Sequence, residues 1–197
     1  MRILVIGATG KIGGIVASTL DSRGHEVLRA SRSSEWTVDL TDPASVLALF
    51  ARVGQVDAVV MAAGSVPFAH LTELTRDDYL AAFTSKALPQ MDTARVALDH
   101  VTDGGSITLT TGVLAREPIA TGAAAAAANG AVESFVITAA AEAPRGIRIN
   151  AVSPNVLQNS PTHHALFAGQ RPVQDEEIGR VYTLAVEGLV RGRILTA

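Results

Sequence analysis

Cysteine is absent from this chain. Disulfides, thiolate metal sites and cysteine nucleophiles are thereby excluded, and a reducing, cytoplasmic setting is the expectation. Aromatic residues are scarce at 4%, and only 2 of them are tyrosines, Tyr79 and Tyr182. Charge is scarce too. Only 18% of residues are charged, the net charge is −3 and no basic stripe runs through the chain, so nothing attracts nucleic acid in general. Long apolar runs are also missing. The run Ile3-Leu4-Val5-Ile6 is too short for a secretory leader. The alanine stretch Ala123–Ala128 is followed at once by Asn129 and then Glu133, so no membrane span is expected. No H-x-x-x-H and no cluster of acidic residues suggests a metal site. No G-x-S-x-G elbow offers a hydrolase nucleophile.

What is present is apolar and rich in glycine: 48% hydrophobic residues and 17 glycines among 197. That length supports one domain over residues 1–197 with a substantial core. Short apolar runs predict strands at Arg2–Ile6, Glu26–Ala30, Trp36–Asp39, Val56–Ala62, Ser106–Thr110, Arg148–Val152 and Gly192–Thr196. Helices are predicted between them: to Ser22 after the first glycine turn, from Pro43 to Val53 behind the cap Asp42, and from Arg76 to His100 behind Thr75. Two more follow, from Gly122 to Glu142 and from Asp175 to Val190. Pro89 is expected to kink or restart the long third helix. Strands alternating with helices imply an α/β fold, a single doubly wound parallel sheet with helices on both faces. In such a sheet ligands sit outside the carboxyl ends of the strands, so the informative residues should follow strands.

They do. Gly7-Ala8-Thr9-Gly10-Lys11-Ile12-Gly13 joins the first strand to the first helix. Its glycines permit a tight turn and close approach of backbone to a pyrophosphate, and the helix start supplies free N–H donors. The spacing is G-x-x-G-x-x-G, which departs from the standard G-x-G-x-x-G. This places the chain in the Rossmann class, with Gly7, Thr9, Gly10, Lys11, Ile12 and Gly13 as the turn that binds a nicotinamide dinucleotide. The second strand ends in Ala30-Ser31-Arg32-Ser33-Ser34, without the carboxylate that would bind a ribose 2′-hydroxyl. Arg32, helped by Ser31 or Ser33, suits a 2′-phosphate, so NADP(H) is expected in preference to NAD(H). Asp39 and Leu40 suit an adenine edge, and Ala62-Ala63-Gly64 is small enough for the cofactor to lie across.

With these residues in place the chain resembles a short-chain dehydrogenase/reductase over nearly its whole length. The markers are Gly7/Gly10/Gly13, Asp39, the Ala62-Ala63-Gly64 version of the family's N-A-G, and Gly104-Gly105-Ser106-Ile107-Thr108. Most specific is Arg145-Gly146-Ile147-Arg148-Ile149-Asn150-Ala151-Val152-Ser153-Pro154-Asn155, close to the family's G-I-R-V-N-A-V-S-P-G with Asn155 for the last glycine. The resemblance adds Pro154, Asn155 and Val156 to the cofactor contacts. It also implies a small-molecule substrate of carbonyl type, and a homodimer or homotetramer joined through the two long helices, which the alanines of Ala123–Ala128 would let approach closely.

The family's chemistry uses Ser, Tyr, Lys and a relay Asn, and here the resemblance fails. Ala131-Val132-Glu133 aligns with the A-V-E that follows the usual lysine, which puts Asn129 at the Lys position and Ala125 at the Tyr position. No tyrosine lies between Tyr79 and Tyr182 to replace it. The Ser position falls on Thr111 or Gly112, with Thr110 beside it, and the relay Asn position falls on Lys86. Lysine and asparagine are thus exchanged, and the expected catalytic set is Thr111, Lys86 and Asn129. A lysine desolvated beside a cofactor can act as an acid. His163 and His164 lie in the expected substrate lid, and Tyr182 is expected in the core or an interface. Three functions fit: an NADPH-dependent oxidoreductase, a catalytically silent NADP(H)-binding partner, and a non-redox isomerase or cyclase on the same scaffold.

Overall fold

The computed structural model describes residues 1–197. Seven strands form one parallel sheet: β1 (Arg2–Ile6), β2 (Glu26–Ser31), β3 (Trp36–Thr37), β4 (Val56–Met61), β5 (Val101–Thr110), β6 (Arg148–Ser153) and β7 (Ile194–Thr196). Their order is β3-β2-β1-β4-β5-β6-β7. The helices are α1 (Lys11–Ser22), α2 (Pro43–Val53), α3 (Arg76–Ala82), α4 (Leu88–Ala97), α5 (Ala123–Glu142), α6 (Pro161–His164) and α7 (Asp175–Glu187).

Strand β1 shows why the sheet is doubly covered. Ile3 and Val5 join Val16, Leu20, Val181 and Tyr182 in the layer made by α1 and α7. Leu4 and Ile6 alternate with them and face Phe50, Ala94, Val132 and Val136 of α2, α4 and α5. Both faces of the strand are buried, so it reads as an unbroken apolar run. The order reverses between β1 and β4, which opens a crevice at their carboxyl ends.

Several boundaries differ from those predicted. β5 begins at Val101, not Ser106, because Val56 pairs with Val101 before the register shifts at Ala58 and takes Gly104-Gly105 into the strand. β3 stops at Thr37, short of Asp39, and the Asp39 carboxylate accepts from the amide and hydroxyl of Thr41, bending the chain. β2 runs on to Ser31, β4 stops at Met61, β6 runs on to Ser153, and β7 starts only at Ile194. α7 ends at Glu187 where Arg148 takes up its last carbonyls, those of Ala185 and Val186. The short helix α6 was not foreseen.

The stretch predicted as one helix from Arg76 to His100 is three pieces. α3 starts on the expected cap, Thr75, in a reciprocal pair of bonds with Asp78. A π-helical turn, Phe83–Ala87, then links it to α4, which ends at Ala97. Pro89 is the second residue of α4, and the wider turn ahead of it accommodates a residue with no N–H to donate.

α5 is long and apolar enough to cross a membrane by length and composition, with mean hydropathy 1.3, which corrects the reading that no such span exists. Ala124, Ala125, Ala128, Val132, Val136 and Ala140 nevertheless form its buried face. These alanines let α5 approach its own sheet, so Ala124, Ala125 and Ala128 are not available to a second subunit as the sequence reading had supposed. The polar members of the Arg145–Asn155 segment also have a structural task. Asn150 donates to Val190 O and accepts from the Arg193 amide, pinning the turn into β7.

Candidate active site

Two clefts meet at the carboxyl edge of the sheet. The first, about 510 Å³, is lined by Gly7, Thr9, Gly10, Ser31, Arg32, Asp39, Leu40, Ala62, Ala63 and Gly64, together with Thr41, Ser65 and Ser85. Every residue in the first ten of these belongs to the predicted cofactor set. Lys11, Ile12 and Gly13 open α1 beside it. Gly10 is the cap residue and no side chain caps the helix, while the first intrahelical bond is that of Gly14 to Gly10 O, so the amides of Lys11, Ile12 and Gly13 lack a backbone acceptor. Gly13 is required by packing: a Cβ there would lie 2.1 Å from Gly7 O. The Ile12 side chain packs against the α1/α7 core, so only its amide is available.

At the far end of this cleft Arg32 is exposed and engaged in no salt bridge. Asp39 holds a carboxylate pKa below the usual value, chiefly because Thr41 donates to it twice, with Arg32 adding a smaller electrostatic pull. Its Oδ1 is committed to Thr41, which lies in the same cleft and was not singled out from the sequence. Free amides and a glycine-tight bend fit the phosphates of a dinucleotide, with an unpaired guanidinium at the far end of the cleft.

The second cleft, about 380 Å³, is mostly apolar. Val66, Phe68, Val113, Leu114, Leu166 and Phe167 supply much of its wall, and Lys86, Thr111, Asn129 and Ala125 all line it. Pro154, Asn155 and Val156 border this cleft and not the first one. His163 lines it as well. His164 does not: its Nε2 lies 2.9 Å from Leu157 O, which holds it to the segment after β6. Gly112, the alternative for the Ser position, lines the cleft beside the Asn129 amide.

Lys86 sits where the clefts join. It packs on Gly64, where a Cβ would lie 2.8 Å from Lys86 Cγ, so only glycine at 64 leaves room for it. Its Nζ donates to Thr111 O at 3.2 Å. The side chain is partly exposed at the cleft, but dense protein surrounds it, and this desolvation lowers its pKa from 10.5 to about 8. One turn on, Gln90 is fully buried and brackets the end of β5, donating to Thr110 O at 2.9 Å and accepting from Thr110 N at 2.8 Å. Residues 86 and 90 share a helix face, so Gln90 locks the π-helical turn that aims Lys86. Gln90→Leu should leave both Thr110 groups unpaired and cost roughly 2–4 kcal/mol, read as a lower midpoint in urea unfolding.

The Thr111 hydroxyl is already engaged. It lies 3.0 Å from Glu133 Oε1 and 3.2 Å from Asn129 O, both acceptors, so its single proton points to α5. Glu133 in turn pairs with Arg116, whose other nitrogen donates to Ser153 Oγ at 2.9 Å. This chain of contacts ties the ends of β5 and β6 to the middle of α5. Sequence reading used Glu133 only to align the helix and missed the network, because Arg116 comes from an irregular loop. Asn129 is 3% exposed, and its Oδ1 has no partner in the protein. Neither tyrosine lines either cleft: Tyr182 is fully buried on α7 with its hydroxyl paired to that of Thr110, and its burial raises its pKa far above the usual phenol, while Tyr79 packs on the other core. Tyr182 is therefore a core residue, one of the two places expected for it.

The sheet order, the crevice at the β1/β4 reversal and the glycine bend beneath it define a Rossmann-type dinucleotide-binding protein. The chain belongs to the short-chain dehydrogenase/reductase family. A family model described as enoyl-(acyl carrier protein) reductase matches residues 12–181. Among solved structures, the protein lin1944 from Listeria innocua is 42% identical, with a TM-score of 0.96 over 100% of this chain and 99% of that one. A small-chain dehydrogenase crystallised in complex with NADPH is 26% identical, with a TM-score of 0.89 over 100% of this chain and 96% of its own. An uncharacterized oxidoreductase from Methylorubrum extorquens is 32% identical over 117 residues, 59% of this chain and 47% of that protein. A versicolorin reductase from Emericella nidulans is 28% identical over 180 residues, 79% of this chain and 68% of its own. The chain thus spans about half the length of the first of these two relatives.

Proposed function

We propose that the protein is an NADPH-dependent reductase of a small carbonyl-type substrate, with Lys86 as its proton donor. The observation that carries this reading is the position of Lys86, which touches Gly64 of the dinucleotide cleft and lines the apolar cleft. Bound NADPH would supply a hydride to the substrate carbon. The chain's own residues do the remainder. The amides of Lys11, Ile12 and Gly13 and the Arg32 guanidinium bind phosphates, the apolar wall excludes water, and Lys86 Nζ holds the substrate oxygen and gives it a proton. Thr111 contributes through its carbonyl, which orients Lys86, and Asn129 offers its amide to the substrate or the ribose. The complex of the structural relative with NADPH supports the phosphate preference. Homodimers or homotetramers would form through the outer faces of α4 and α5, where Leu88 and Ile137 are exposed.

A second reading, a silent NADP(H)-binding partner subunit, is favoured by one observation: the Thr111 proton is directed to Glu133 and Asn129 O and not to the cleft. NADPH consumption over a panel of ketones, aldehydes, imines and enones separates the two. Oxidation of NADPH with any of them supports the reductase, and tight NADPH binding without turnover across the panel supports the partner subunit. Cofactor preference has its own test. Arg32→Ala should weaken NADPH binding by about 10-fold or more and leave NADH binding unchanged in a fluorescence titration, since a charge-assisted pair contributes about 1.5–3 kcal/mol. Equal loss for both nucleotides would remove Arg32 from the phosphate site.

A further inference from the structure

The apolar cleft has an unbalanced charge at its floor. Lys86 is the one Lys or Arg in its wall, and no Asp or Glu lines it. The nearest carboxylate built into this region, Glu133 of α5, is taken up by Arg116 and the Thr111 hydroxyl. His163 of α6 is the only other titratable side chain on the lining. The Lys86 ammonium therefore has a single partner in the protein, the Thr111 carbonyl, with its remaining N–H groups left over. Asn129 lines the same cleft; it is 3% exposed, and its amide oxygen has no partner in the protein. A cation held in an apolar enclosure without a counter-charge favours a ligand that brings one. A ribose hydroxyl of the cofactor brings none.

The geometry points to a specific ligand class: compact, mainly hydrocarbon molecules carrying one ionised oxygen group, a carboxylate or an ionised enol, seated on Lys86 with Asn129 beside it. The body of the molecule lies against Phe68, Leu166 and Phe167. A single cation among apolar walls selects against phosphorylated and sugar-like ligands, whose further polar groups would be stranded there. This assignment goes beyond the reductase reading: a carboxylate or ionised enol seated on Lys86 is a ligand of the cleft and not the carbonyl that takes the hydride, and its binding is read without turnover.

The test is calorimetric titration of the full chain at neutral pH with two pairs of probes. One pair is 2-naphthoate and its neutral isostere 2-naphthamide. The other is the cyclic 1,3-diketone dimedone, an anion at neutral pH, and its neutral methyl enol ether. The wild type should bind at least one anion about 10-fold or more tightly than its neutral counterpart, a preference of about 1.4 kcal/mol. Preference in the first pair alone assigns carboxylates, and preference in the second alone assigns ionised enols. Lys86→Met and Lys86→Gln should erase that preference while still binding the neutral probe and NADPH, which also reports that they fold. Three results overturn the assignment: no binding of either anion, no preference over the neutral probes, or a preference that survives in both variants. Failure of NADPH consumption with this preference intact would reject the reductase reading and leave the binding class standing.

Discussion

Replacement of Lys86 by methionine should lower NADPH-dependent turnover by about 100-fold or more while NADPH still binds, because a positioned general acid contributes about 10²–10⁴ in rate. The same change should stabilise the fold. Burial lowers the Lys86 pKa from 10.5 to about 8, so the charged form is disfavoured in the native state. Below pH 8 both folded and unfolded chains carry the charge, and the folded one bears the full desolvation cost. Between about 8 and 10.5 the folded chain loses its proton first, the unfolded chain binds more protons, and wild-type stability rises with pH. Lys86→Met should therefore gain roughly 1–3 kcal/mol at pH 7, with the advantage shrinking as the pH approaches 10.5. Turnover of the wild type should be level below pH 8 and fall about tenfold per pH unit above it, as the acid is lost. Full activity in the methionine variant would end the assignment of Lys86, and a pH profile unchanged up to pH 10 would do the same.

The second large effect is expected at the start of α1, where neighbouring glycines should respond in opposite directions. At Gly13 a Cβ would stand 2.1 Å from Gly7 O and 2.6 Å from Gly7 C, both backbone atoms. Nothing flexible can yield there, so Gly13→Val must push the helix away from the bend. We expect a loss of roughly 3 kcal/mol or more and no saturable NADPH binding, since the free amides move with the helix. At Gly14 the nearest atom to a Cβ is Ala8 O at 3.6 Å, an ordinary contact. Gly14→Ala should therefore stabilise the protein by about 0.5–1 kcal/mol through helix propensity and leave NADPH affinity unchanged. Thermal unfolding and fluorescence titration on both variants check this. Unimpaired cofactor binding by Gly13→Val would show that the bend is not the phosphate site.

Much of the fold could be read from local pattern because both of its periodicities are short. β1, α1, α2 and the start of α3 lie where the apolar runs, Asp42-Pro43 and Thr75 put them. The strand ends were harder, since pairing decides them. Val101 belongs to β5 only because Val56 lies opposite it, and β3 is cut to Trp36–Thr37, paired with Ala30 and Ser31, with one further bond from the Val38 amide to Ser31 O. The long helix failed for a related reason: propensity sees Pro89 but not the π-helical turn that accommodates it, which is fixed by Gln90 gripping a strand 20 residues away.

By itself the amino-acid order determined the class of fold and the glycine bend, because each depends on residue type at a fixed spacing. Tertiary structure alone decided what the site residues face. It gathered Lys86 and Gly64 at the meeting of two clefts, turned the Thr111 hydroxyl to Glu133, and drew His164 to the Leu157 carbonyl while His163 stayed on the wall. Burial, and with it a lysine pKa near 8, is a property of the surroundings. Those surroundings come from segments far apart in the chain, and no local pattern encodes them.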